Sequence, residues 1–122
     1  MAERKTVLAI DDNVQQLSEF RNILSSKYDL RVVKSAFEAI SFLNRETTDI
    51  ILLDIEMPNI SGFEFLEDIR NIPSYESVPV IIISGNNSAE FLEKAKGSSA
   101  CDVLIKPVTP DALINTIEKH FK

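Results

Sequence analysis

The sequence predicts a doubly wound α/β fold whose five-stranded parallel sheet has the order 2-1-3-4-5. Three observations predict it. Short apolar runs alternate with amphipathic stretches along the chain. The runs are mostly continuous in Val, Ile and Leu, as strands covered on both faces require. Their number, five, suits a single domain of 122 residues. Right-handed crossovers between such strands put helices on both faces of the sheet.

Each element has its own signal. The first run is Thr6–Ile10, and Val14, Leu17, Phe20 and Leu24 then recur at helical spacing. The second is Leu30–Val33; Ser35 with Glu38 forms a capping box before Ala36, Ile40 and Leu43. The third, Ile50–Leu53, precedes a second capping box, Ser61 with Glu64. The fourth is Val80–Ile83. Its helix is expected to stop near Lys96, with Gly97 as a left-handed cap. The fifth is Val103–Ile105. Thr109 then caps a helix with Pro110 in its first turn and Leu113, Ile117 and Phe121 on its apolar face.

Composition narrows the function. Thirteen basic against nineteen acidic residues leave a net charge of −6. That opposes direct binding to nucleic acid or to an anionic membrane surface. No apolar run approaches the roughly 20 residues of a membrane span, and Met1–Lys5 shows no signal-peptide pattern. Residues 1–122 are expected to form one cytoplasmic domain without an output domain. The single cysteine, Cys101, excludes an intramolecular disulfide and is expected to be a small buried residue.

In doubly wound sheets the site lies beyond the carboxyl ends of the strands. There the chain places Asp11 and Asp12, then Asp54, then Ser84 and Gly85, then Lys106 and Pro107. Each has an ordinary alternative: Asp12 as a helix cap, Asp54 as a turn residue, Ser84 as a loop hydroxyl, Lys106 as a surface charge. Their convergence on one rim favours a shared role. Two unit charges about 4 Å apart repel by on the order of 4 kcal/mol at an effective dielectric near 20. A hard divalent cation, Mg²⁺ or Mn²⁺, would offset that, with Lys106 as a further point charge. A carboxylate in such surroundings can attack phosphorus. Phosphoryl transfer then needs alignment and charge neutralisation, which the cation, Lys106 and the Ser84 hydroxyl would supply. By contrast, His120 lies in the last helical turn, away from the rim, and fits a surface position. Glu64, Glu67 and Asp68 fit a solvated helix face, and Phe63, Phe65, Phe91 and Phe121 fit packing.

The Asp11-Asp12 pair, Asp54-Ile55-Glu56-Met57-Pro58 followed by Gly62, Ser84-Gly85 and Lys106-Pro107 resemble the motifs of the receiver domains of two-component response regulators. The spacings fit as well, with 30 residues from Asp54 to Ser84 and 22 more to Lys106. The resemblance spans essentially the whole chain and implies a flavodoxin-like (βα)5 fold. It implies Asp54 as phosphoacceptor, Asp11, Asp12, Asp54 and the Glu56 backbone carbonyl as metal ligands, Ser84 as switch hydroxyl and Lys106 as phosphate-binding lysine. It also implies a cis Lys106–Pro107 bond. The expected donor is a sensor histidine kinase or a histidine phosphotransfer protein, and the expected receiver of the signal is a downstream protein or output domain.

Three positions depart from the family pattern. Val103 stands where Tyr or Phe is usual, Ser99 where Gly is common, and Glu56 and Asn86 occupy positions that tune how water reaches the phosphoryl group. Such a chain is expected to be a switch and not an enzyme with a separate substrate. The alternative is a small phosphohydrolase of the haloacid dehalogenase type with Asp54 as nucleophile. Asp54-Ile55-Glu56 resembles its paired aspartates only faintly, and residues 1–122 are expected to leave no room for a cap domain.

Overall fold

A computed structural model describes residues 4–58 and 60–121. Five strands run β1 (Thr6–Ile10), β2 (Asp29–Val33), β3 (Ile50–Asp54), β4 (Val80–Ser84) and β5 (Asp102–Ile105). All pair in parallel, in the order β2-β1-β3-β4-β5, as the sequence predicts. The helices are α1 (Val14–Leu24), α2 (Ala36–Arg45), α3 (Gly62–Arg70), α4 (Ala89–Lys96) and α5 (Pro110–Lys119). A short 3₁₀ turn over Pro73–Tyr75, absent from the expectations, precedes β4.

The pleat sorts the strand residues into two cores. Leu8, Ile10, Ile51, Leu53, Val80 and Ile82 pack with side chains of α2, α3 and α4. Val7, Ala9, Ile50, Leu52, Ile81 and Ile83 pack with those of α1 and α5. Strands β3 and β4 are buried along their whole length, because alternate residues point to opposite faces and both faces are covered. Both run one residue beyond the predicted ends, so Asp54 and Ser84 are themselves terminal strand residues.

Helix starts follow the predicted chemistry. Ser35, Ser61 and Thr109 accept the N–H groups of Glu38, Glu64 and Ala112. The Glu38 carboxylate accepts the Lys34 N–H at 2.9 Å, one residue before the cap. Helix α1 is capped by Asn13, whose side chain accepts the Gln16 N–H. Asp12 is therefore not spent as the cap. Helix α4 does end at Lys96, but Gly97 has φ −81°, so the expected left-handed cap is not used. Instead the Gly97 N–H donates to Glu93, and both the Ser98 N–H and its hydroxyl reach the Ala95 carbonyl.

The pole opposite the strands' carboxyl ends is tied by side chains. The Arg70 guanidinium donates to the carbonyls of Tyr75 (2.8 Å), Val78 (2.6 Å) and Ser99 (2.9 Å), and to the Ser99 hydroxyl (3.1 Å). The Tyr75 hydroxyl donates to the Glu46 carbonyl at 2.7 Å. Asp102 at the start of β5 takes Lys119 at 2.7 Å and His120 at 3.2 Å. His120 is thus away from the rim, as expected, but is largely covered there. Cys101 is a correction: it is exposed, not buried. It immediately precedes β5, an edge strand whose residues are only half-buried, so apolar neighbours in sequence do not enclose it. Phe65 is buried, and Phe63, Phe91 and Phe121 pack against the cores.

The loop after β3 is clamped to the start of α3. A Cβ on Gly62 would overlap the Ile55 carbonyl and come within 2.6 Å of two Ile55 side-chain carbons. Gly62→Ala is therefore expected to lower stability by about 1–3 kcal/mol. Urea unfolding checks this, and an unchanged midpoint would contradict the clamp.

Candidate functional site

The sheet delivers its polar residues to one rim. Strand β1 ends at Ile10, and the Asp11 N–H extends the ladder to the Val33 carbonyl at 3.2 Å. The Lys106 N–H does the same beyond β5, donating to the Ser84 carbonyl at 2.7 Å. The Lys106–Pro107 bond is cis. By pleat alternation Asp11, Asp54 and Lys106 share the parity of the residues facing α1 and α5, whereas Ser84 shares that of the opposite face. The rim is thus split between the two faces of the sheet.

On the first side lies an acidic cluster. Carboxylate oxygens of Asp11, Asp12 and Asp54 lie within 4.8 Å of one another. Asp11 and Asp54 are buried, and Asp12 is exposed. Lys106 Nζ stands 3.9 Å from Asp11 Oδ2 and 3.7 Å from Asp54 Oδ2. Backbone amides hold the other oxygens: Asn13 N–H donates to Asp11 Oδ1 at 2.9 Å, and Glu56 N–H to Asp54 Oδ1 at 3.0 Å. Both carboxylates are thereby fixed with their second oxygens facing each other and the ammonium.

Asp11 Oδ2 is buried without a hydrogen-bond partner. Burial pushes the Asp11 carboxyl from its ordinary 3.8 up to about 6; the Asn13 amide opposes the rise, the Asp54 carboxylate adds to it and Lys106 opposes it. A buried carboxylate oxygen lacking a partner, beside two further carboxylates, is the donor set of a hard divalent cation. The residues present fit Mg²⁺ or Mn²⁺.

On the second side the structure adds a contact that the sequence reading did not foresee. Glu56 was expected to contribute its backbone carbonyl to a metal. Its side chain also crosses to the loop after β4, where Oε1 accepts the Ser84 hydroxyl at 3.2 Å and the Gly85 N–H at 2.7 Å. The Ser84 hydroxyl oxygen accepts the Asn86 N–H at 3.0 Å. A carboxylate two residues past a strand end, beside a neighbouring strand ending in Ser-Gly, was the available signal. All six predicted residues, Asp11, Asp12, Asp54, Glu56, Ser84 and Lys106, thus lie at one rim.

Residues 7–118 match the family described as the response regulator receiver domain. The chain belongs to that family. Among curated relatives, the receiver domain is 33% identical over 116 residues to the CAI-1 autoinducer sensor kinase/phosphatase CqsS of Vibrio cholerae. That match covers 93% of this chain and 17% of the kinase. It is 32% identical over 106 residues to the two-component response regulator ORR3 of Oryza sativa, covering 85% of this chain and 81% of that protein. The chain spans 17–26% of the length of the Vibrio kinase and two other multidomain relatives. Among solved structures, the chemotaxis response regulator CheY4 of Vibrio cholerae superposes with a TM-score of 0.88 at 26% identity, over 96% of this chain and 98% of that one. The phosphohydrolase alternative gains no support from these matches.

The Asp11 environment gives a pH prediction. Without divalent cation, the folded receiver keeps a proton on Asp11 up to about pH 6, whereas the unfolded chain releases it near 3.8. In that window the native state binds more protons, so this group's contribution falls as pH rises. In chelator, Asp11→Asn is expected to exceed the parent in stability by about 2 kcal/mol at pH 7 and by less at pH 4. Urea unfolding at the two pH values checks this; a gap independent of pH would contradict it. Added Mg²⁺ should narrow the pH 7 gap by stabilising the parent.

Proposed function

We propose that the receiver domain is a phosphorylation-dependent signalling switch with Asp54 as phosphoacceptor. The observation that carries this reading is the buried Asp54 carboxylate, close to Asp11 and Asp12 and 3.7 Å from the Lys106 ammonium. An Asp54 oxygen forms a bond to phosphorus as the P–N bond of a donor phosphohistidine breaks, and the imidazole nitrogen keeps the electron pair. Asp11, Asp12, Asp54 and the Glu56 carbonyl would hold the divalent cation, Mg²⁺ or Mn²⁺, whose chemistry there is neutralisation of charge on the phosphoryl oxygens. Lys106 receives a second phosphoryl oxygen, and the Ser84 hydroxyl a third.

Asp54 phosphorylation adds charge and acceptor oxygens, so it favours whichever conformation brings donors to them. A differential of about 2–3 kcal/mol turns a modest minority state into the majority. The donor is a sensor histidine kinase or a histidine phosphotransfer protein, as the kinase relatives support. The output passes to a downstream protein or output domain, not to nucleic acid or membrane. Among the described residues no helix is long and apolar enough to cross a membrane, and a cytoplasmic location fits that. The domain turns over its own acyl phosphate and no separate substrate.

Acetyl phosphate with Mg²⁺ tests the reading directly. The parent is expected to gain one hydroxylamine-labile phosphoryl group, seen by intact mass, and Asp54→Asn none. Multiple-turnover hydrolysis of phosphate esters without that adduct would favour an enzyme instead.

Val103 packs half-buried against the core on the α2, α3 and α4 side, at the place of the usual aromatic residue. It has no ring to rotate, so the signal across α4, β5 and α5 is expected to be muted. Amide chemical shifts with and without beryllofluoride check this. Small changes there, beside large changes at Ser84–Asn86, are expected; large changes across that face would contradict it.

A further inference from the structure

Glu56 does more than add negative charge to the rim. Its carboxylate turns onto the loop after β4, and a single oxygen accepts both the buried Ser84 hydroxyl and the Gly85 amide. The Asn86 N–H donates to Ser84 Oγ, which directs the hydroxyl proton toward Glu56. A Cβ at Gly85 would stand 3.5 Å from the same oxygen, an ordinary contact, so the approach rests on the two hydrogen bonds and not on the glycine. Hydrogen bonds to an ionised acceptor are shorter and about twice as strong as neutral ones.

Given Asp54 as phosphoacceptor, on which this inference rests, an incoming phosphoryl oxygen needs the same hydroxyl. We infer that Glu56 is a positioning residue that acts through Ser84. In the resting chain its carboxylate occupies the Ser84 O–H and Gly85 N–H as an internal anion. Phosphorylation of Asp54 must displace that anion before Ser84 can turn to the phosphoryl group. The exchange is one anion for another on the same donors, so the net gain from engaging Ser84 is small while Glu56 competes. Once released, the Glu56 side chain has solvent to enter, because the residue is exposed. The carboxylate therefore sets the resting state against the active one without touching the reacting atoms.

The test uses beryllofluoride with Mg²⁺, followed by amide NMR on the parent, Glu56→Gln, Glu56→Ala, Ser84→Ala and the Glu56→Ala/Ser84→Ala double variant. Resting Glu56→Ala is expected to shift the Gly85 amide proton upfield, since it loses a carboxylate acceptor. Glu56→Ala should bind beryllofluoride about tenfold more tightly than the parent. Glu56→Gln, which keeps a weaker neutral acceptor, should lie between them. In the Ser84→Ala background the gain from Glu56→Ala should fall below about twofold. Equal gains in Glu56→Gln and Glu56→Ala that persist without Ser84 would reduce Glu56 to simple charge repulsion and overturn the inference. An unmoved Gly85 amide would overturn it too. If no variant binds beryllofluoride, the phosphoacceptor reading falls and the inference falls with it.

Discussion

The crowding of negative charge at the carboxyl rim is the constraint on which the rest of the structure depends. Three carboxylates share a space 4.8 Å across, two of them buried, and one lysine faces them at 3.7–3.9 Å. Each close pair costs on the order of 4 kcal/mol at an effective dielectric near 20. A fully buried Leu or Ile returns about 1.5–3 kcal/mol. Several buried side chains must therefore offset the rim, and β1, β3 and β4 supply them in unbroken runs. The aliphatic strands and the acidic ends belong to one arrangement: a rigid, dry sheet is what can hold like charges together.

The pleat then divides the work. Asp11, Asp54 and Lys106 fall on the parity that faces α1 and α5, where chemistry on phosphorus would take place. Ser84 falls on the other parity, where it meets Glu56. Two backbone bonds beyond the regular strands, Asp11 to Val33 and Lys106 to Ser84, carry the ladder into the rim and fix the spacing of its side chains. Ser84 ends β4, which pairs with β3 carrying Asp54 and with β5 leading into Lys106, so the parallel pairing of neighbouring strands is the physical link between the two sides.

Strands, their order and most helix caps were legible because each rests on local pattern: continuous aliphatic runs, Ser or Thr before a helix, Pro in its first turn. The rim residues were legible because topology alone brings strand ends together. The failures come from contacts that local pattern does not encode. Cys101 follows a helix and precedes an edge strand, so its burial depends on what covers the sheet's margin. Asn13 caps α1 in competition with its equally suitable neighbour Asp12, and the choice depends on where the ladder stops. Gly97 has the freedom for a left-handed cap, but Ser98 closes the helix with its own side chain and makes that freedom unnecessary. The Glu56 carboxylate joins residues 28 and 29 positions away, across two strands, which no spacing rule reveals.

Arg70 has a consequence for motion. Its guanidinium gathers backbone carbonyls from the 3₁₀ turn and from the approaches to β4 and β5, and Tyr75 adds a tie to the end of α2. Those bonds anchor main chain that cannot readily find other donors. These ties cross-brace the end of the sheet that lies opposite the acidic rim. Moving the connections there would break several hydrogen bonds at once, so a rearrangement at the rim is expected to leave that far end in place.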